Sequence, residues 1–256
     1  MKIYIFADME GCSGIAGSAY INGPLADLGR ELMLQDVNAC AAGCFKAGAT
    51  EVLLRDGHGG GGNIAMAQLD PRVEMISGDT PRSRFADLGG SAGLILLGYH
   101  AMAGTEAAVL EHTYSSTGIQ NLWLNGRKAG EFAVDAAIAA EHGVPTLLAT
   151  GDDKLCAEAV AWLPEVFTCQ VKTSYSSQGA RLIPLAKAHA LIEEKTIEAI
   201  RSTGRIPFLA LNYPVTLRQE FVERRRCPEN HAYRYLDGRT IELTGDSLEK
   251  LFLFNA

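Results

Sequence analysis

Short apolar runs alternate with longer amphipathic stretches through the first 150 residues. Ile3–Ala7 is an apolar run of strand length, and Glu51–Leu54 and Gly93–Leu97 carry two more. Leu28–Ala47 places Leu32, Met33, Val37, Cys40, Cys44 and Phe45 at helical spacing, with Gly48 as the stop. Asn121–Ala129 predicts a hairpin turning at Asn125-Gly126, a dipeptide suited to a tight two-residue turn. Glu131–His142, ended by Gly143, predicts a helix, and Pro145–Thr150 a further strand. Gly151-Asp152-Asp153 predicts a cap for the helix that follows. Continuous apolar strands belong to sheets covered on both faces. The rhythm therefore predicts an α/β fold with a mostly parallel sheet covered by helices.

The last third changes character. Leu182–Thr203 predicts a long amphipathic helix, Phe208–Leu211, Val215–Phe221 and Thr240–Leu243 predict strands, and Ser247–Phe254 a short closing helix. The expectation is an α/β domain over 1–170 and a smaller C-terminal α+β lobe over 171–256, with the boundary within 170–205.

Composition changes this picture little. A chain of 256 residues, 47% hydrophobic and 21% charged, suits a globular protein with a full core. The net charge of −7 argues against nucleic acid as a partner. The one basic cluster, Arg224-Arg225-Arg226, follows Glu220 and Glu223 and reads as a solvated turn. No stretch approaches the roughly 18 uninterrupted apolar residues of a membrane span. Met1-Lys2 runs directly into the first strand, which leaves no room for a signal peptide and predicts a cytoplasmic location. The six cysteines show no C-x-x-C pair and read as reduced, packed thiols.

What stands just past each early strand matters more. Asp8-Met9-Glu10 follows the first, Asp56-Gly57-His58 the second and Gly98-Tyr99-His100 the third. Residues two apart in extended chain point the same way, so Asp8 and Glu10 aim at one place. In an open parallel sheet the carboxyl ends of the strands line one crevice. Two carboxylates and two imidazoles from separate strands are thus expected to meet there. Singly, each has an ordinary reading as a cap or a hydrogen-bonded polar residue. Together they need positive charge, which no Lys or Arg within the three motifs supplies. A metal supplies it, and oxygen and nitrogen donors without thiolate suit zinc first, with Mn2+ or Co2+ as alternatives. Glu131 begins a helix, where an acid also simply complements the helix dipole. His112 lies in a loop, Leu110-Glu111-His112-Thr113. Gly59–Gly62 lacks a phosphate-loop pattern and reads as room for close backbone approach; H-E-x-x-H and G-x-S-x-G are absent.

Ala7-Asp8-Met9-Glu10-Gly11, Asp56-Gly57-His58-Gly59, Gly98-Tyr99-His100-Ala101, His112-Thr113, Asn125-Gly126 with Gly130-Glu131-Phe132, and Gly151-Asp152-Asp153 together resemble the M55 D-aminopeptidase family. Pro214-Val215-Thr216-Leu217 and Thr240-Ile241-Glu242-Leu243 extend the resemblance into the second lobe. The resemblance implies a binuclear zinc aminopeptidase, with two Zn2+ per chain, acting on short peptides or amino-acid amides and preferring D-residues. It places the metal ligands on Asp8, Glu10, His58, His100 and Glu131, and the catalytic histidine on His112. Asp8, central in its motif, is the candidate to bridge two ions, and His112 to act as general acid/base or oxyanion stabiliser. It also implies a ring-shaped homo-oligomer. Gly57 departs from the family, where serine is common, as does Glu111, where a small residue is often found. Two other readings use the same residues: a two-metal hydrolase of non-peptide amides or esters, and a non-catalytic, metal-stabilised binding protein.

Overall fold

The computed structural model describes residues 1–255. Its first part runs β1 (Lys2–Ala7), α1 (Ala26–Lys46), β2 (Glu51–Asp56), β3 (Val73–Ile76), β4 (Gly93–Leu97), β5 (Ile119–Leu124), β6 (Arg127–Lys128) and α2 (Glu131–Glu141). There follow β7 (Thr146–Asp152), α3 (Asp153–Trp162), β8 (Phe167–Ser176), β9 (Gly179–Leu182) and α4 (Leu185–Arg201). The chain closes with β10 (Val215–Phe221), β11 (Arg234–Asp237), β12 (Thr240–Gly245) and α5 (Leu248–Asn255).

Seven strands form one sheet in the order β3-β2-β1-β4-β7-β8-β9, parallel except for β9. From β1 the chain steps one way to β2, and from β4 it steps the other way to β7 and β8. Right-handed crossovers therefore put α1 on one face and α2 and α3 on the other; α4 packs beside α1. The second sheet is smaller and antiparallel, β11-β12-β10-β5-β6. This is the α/β architecture expected, with a helix-covered, mostly parallel sheet and a smaller second layer.

Register fixes what the fold delivers to one point. Ala7 lies level with Asp56 of β2 on one side and with Leu97 of β4 on the other. Three carboxyl ends thus stand side by side, where strand order reverses. Beneath them β1 and β4 are buried on both faces. The Phe6 ring meets Phe85 edge-on at 5.1 Å and Tyr99 at 6.1 Å. The guanidinium of Arg84 lies 4.4 Å above the Phe6 ring and grips the buried Asp135 through two hydrogen bonds of 2.9 and 2.8 Å. A largely buried cation of this kind is tolerable only with its partner in place.

Several elements differ from the sequence reading. Phe208–Leu211 forms no strand. It lies between Pro207 and Pro214, which donate no N–H, and no neighbouring strand pairs with it, although Leu209 is buried. The amphipathic helix expected to open the smaller lobe is α4, and it belongs with the large sheet. Its stripe of Ala188, Ile192, Thr196 and Ala199 is buried, and the α1 backbone at Gly43 passes so close that a Cβ there would lie 2.8 Å from Glu193 O. The hairpin at 119–128 joins the small sheet by pairing with β10. Its turn is the expected one, with Asn125 at φ 48° and Gly126 at φ 80°. The sequence reading did not foresee β3, β8, β9 and β11.

Gly57 occupies the place where serine was expected, and its surroundings explain it. A Cβ there would lie 2.0 Å from Phe6 Cε1. The Phe6 ring is held by Phe85, Tyr99 and Arg84 and has nowhere to go. Gly57→Ser is therefore expected to destabilise the protein by about 1–3 kcal/mol, the ordinary cost of overpacking. Phe6→Leu in the same chain should recover part of that loss, measured by denaturant unfolding; an unperturbed single variant would contradict the packing argument.

Candidate metal centre

The loops after β1 and β4 cross at backbone distance. Asp8 N–H donates to Leu97 O at 2.8 Å and Gly11 N–H to Gly98 O at 2.7 Å. Gly98 has φ +69°, and a Cβ there would lie 2.3 Å from Asp8 O; one on Gly11 would lie 1.8 Å from Tyr99 O. The motif glycines thus permit the approach that brings acids and imidazole together.

Asp8 sits at the middle of what results. Its Oδ1 is 3.0 Å from His58 Nδ1, which is also 3.0 Å from Glu10 Oε2. Its Oδ2 is 3.5 Å from His100 Nε2, which in turn lies 3.2 Å from Glu131 Oε1. One carboxylate thus turns one oxygen to His58 and the other to His100, and each imidazole also faces a second acid, Glu10 or Glu131. Glu131 reaches inward from the first turn of α2, where Gly130 precedes it; it also accepts from Tyr114 N–H at 2.7 Å. All five sequence-predicted ligand candidates are therefore brought together.

His112 joins them. Its ring stacks on His100 at 3.9 Å, nearly parallel, and its Nε2 is 3.8 Å from Glu131 Oε1. Leu110 and Tyr114, two residues either side, both hold positive φ (51° and 59°). Strained backbone of this kind persists where surrounding structure enforces it, often at functional sites. Glu111, the other departure from the family, turns its carboxylate to the Gly104 N–H. His142 pairs with Glu249 and His189 with Asp36.

The electrostatics follow from crowding three buried acids, Asp8, Glu10 and Glu131. Burial works to raise the Asp8 carboxyl, but the His58 hydrogen bond and the charges of His100 and His58 hold it well below the usual range. Glu131 is likewise lowered, its burial outweighed by His100. Burial works to lower His58, yet Asp8 and Glu10 push it up to about 10. His100 rises for the same reason, chiefly through Glu131. Protons on the imidazoles and a divalent cation are thus competing sources of the same positive charge.

The donor set fits such a cation. Glu10 Oε2 and His100 Nε2 are shut off from water and lack a well-aligned hydrogen bond, meeting the polar atoms of His58 and Glu131 in the same cluster at 3.0 and 3.2 Å. His100 Nδ1 donates to Ala101 O at 3.0 Å and His112 Nδ1 to Leu110 O at 2.8 Å. A carbonyl only accepts, so each neutral ring presents its lone pair at Nε2, as metal-binding histidines commonly do. The ligand atoms of Asp8, Glu10 and His100, and those of His100, His112 and Glu131, lie within 4.8 Å of one another in each group. Oxygen and imidazole donors without thiolate suit zinc.

Sequence reasoning missed two residues here. Lys172 of β8 donates to the carbonyl of Glu10 at 2.6 Å. Glu158 of α3 accepts from Met102 N–H at 2.8 Å, and burial pushes its carboxyl up to about 7. Neither lies near a motif in sequence, and a single charged residue in a strand or helix carries no signal of its own.

Comparison with known proteins identifies the chain's relatives. Residues 1–255 match the Peptidase M55 family, described as D-aminopeptidase. A D-aminopeptidase of Bacillus subtilis (strain 168) is 34% identical over 210 residues, which covers 80% of this chain and 76% of the relative. The solved structure of the Zn-dependent D-aminopeptidase DppA from Bacillus subtilis, a self-compartmentalizing protease, superposes with a TM-score of 0.93. It shares 30% identity over 99% of this chain and 95% of its own.

The pKa shifts predict how metal loading couples to protons. With His58 pushed up to about 10, its ring holds a proton near pH 7.5 in the metal-free protein, and His100 is shifted in the same direction. Ligation requires a neutral ring, so zinc binding should release at least one proton per chain, from His58, and tighten as pH rises. Calorimetry in buffers of different ionisation enthalpy measures this number; zero release would contradict the pairing described.

Proposed function

The chain belongs to the M55 D-aminopeptidase family, and on that footing we propose that it is a binuclear zinc aminopeptidase that releases N-terminal, preferentially D-, residues from short peptides and amino-acid amides. The observation that carries the reading is Asp8, whose two oxygens face two separate groups of donors. Asp8, Glu10, His58, His100 and Glu131 are the residues that would hold the zinc.

Bound zinc supplies Lewis acidity, which acidifies water and polarises a carbonyl. The chain's own residues do the rest. The carboxylates around the centre favour a free amine over a neutral acylated one, so the N-terminal residue is the one held. His112 has its Nδ1–H committed to Leu110 O, which leaves Nε2 to take a proton from the attacking water and return it to the leaving amine. Its stacking on His100 fixes the ring plane. One observation favours a second role: His112 Nε2 also converges with His100 and Glu131 as a ligand would.

Preference for D-residues is supported by the D-aminopeptidase relatives rather than by the pocket. The proposal includes a ring-shaped homo-oligomer in the cytoplasm, supported by the likeness to a self-compartmentalizing protease. Among the described residues no helix is long and apolar enough to cross a membrane.

Two measurements test the reading. D-alanine amide and D-Ala dipeptides should be hydrolysed and their N-acetylated forms left nearly untouched; equal rates on both would remove the aminopeptidase claim. His112→Ala should lower kcat about 100-fold or more while zinc content stays normal, whereas His58→Ala and His100→Ala should lose zinc. Equal zinc loss in all three would make His112 a ligand instead.

A further inference from the structure

Lys172 is the one buried lysine among the described residues. It enters from β8, and its ammonium donates to three backbone carbonyls, Glu10 O at 2.6 Å, Cys12 O at 2.9 Å and Ile15 O at 2.8 Å. Every hydrogen of the ammonium is thereby used. The three carbonyls belong to a single segment that begins two residues after Asp8 and has no helix or strand to satisfy them. The same segment gives its Ser13 N–H to the fully buried Asp36 of α1 at 2.7 Å. Cys12 closes it on itself, with its N–H on Met9 O and its Sγ–H on Asp8 O.

A packing role alone does not account for this lysine. Leu or Met fills the same volume without the cost of taking an ammonium out of water. What the charge provides is three donors at one point, and they fall on the turn that carries Glu10. Carbonyls in a turn are free to rotate, and only that of Cys12 also accepts a backbone bond, from Ile15 N–H at 3.3 Å; tied to one cation, the three are fixed together.

We propose that Lys172 is a positioning residue for the metal centre: its tripod fixes Glu10–Ile15 so that the Asp8 and Glu10 carboxylates face His58 and His100. The proposal rests on reading those residues as a zinc site. Lys172 touches no ligand atom and acts through the backbone of Glu10. Loss of a group that orients metal ligands typically costs 10–100-fold in affinity.

The test is zinc affinity, measured by competition with a chromophoric chelator on protein shown to be folded by circular dichroism. Lys172→Met should bind zinc about 10–100-fold more weakly, and Lys172→Gln, which keeps at most two donors, should fall between it and the wild type. At saturating zinc, kcat should fall with KM little changed. Lys154→Met, which removes a surface ammonium, should match the wild type. A merely structural role would lower the melting temperature of the metal-free variants and leave their zinc affinity intact, which would overturn the proposal. Failure of both Lys172 variants to fold would assign the lysine to the whole fold and overturn it equally. A wild type that binds no zinc would instead condemn the zinc reading itself.

Discussion

Three carboxylates, those of Asp8, Glu10 and Glu131, converge in a space almost closed to water. Like charges that are both desolvated and adjacent do not stay ionised unless positive charge meets them. The strands that deliver them, the glycines that let their loops cross, and the two imidazoles whose proton affinity they raise all answer that requirement. His58 pushed up to about 10 and Asp8 held low are two sides of one interaction. Glu10 Oε2 and His100 Nε2, closed to water and without a well-aligned hydrogen bond, mark where the compensation is incomplete. A divalent cation completes it.

The ends of β1, β2 and β4 were legible because each is a short apolar run followed at once by ligand-type residues. Parallel register then carries three separate pieces of sequence to one height, as Ala7, Asp56 and Leu97 show. Glu131 and His112 were legible only by resemblance: a helix-start acid and a loop histidine have ordinary explanations until the fold sets them against His100. Lys172 was invisible. It falls on the polar phase of β8, where Thr168, Gln170 and Lys172 alternate with Phe167, Cys169 and Val171, and so reads as an ordinary solvent-facing residue. Phe208–Leu211 erred the other way, since strand-like residues make a strand only where a neighbour offers hydrogen bonds.

At 30–34% identity to its D-aminopeptidase relatives, the chain keeps the fold while adjusting local contacts. Gly57 is one such place, where the Phe6 ring leaves no room for a side chain. Arg84 over that ring, gripping Asp135 one turn along α2 from Glu131, ties the same packing to the helix that presents the third acid. Glu111 is another, its charge spent on the Gly104 N–H. Both departures thus sit beside the centre without removing a donor from it.

The central claim is the proposed one, that Asp8 would serve two cations at this centre. Anomalous diffraction from zinc-loaded crystals, recorded on either side of the zinc absorption edge, measures this directly. Two peaks per chain should appear, one beside His58 and Glu10 and one beside His100 and Glu131, with Asp8 within ligand distance of both. A single peak, or two of which only one touches Asp8, would contradict the account.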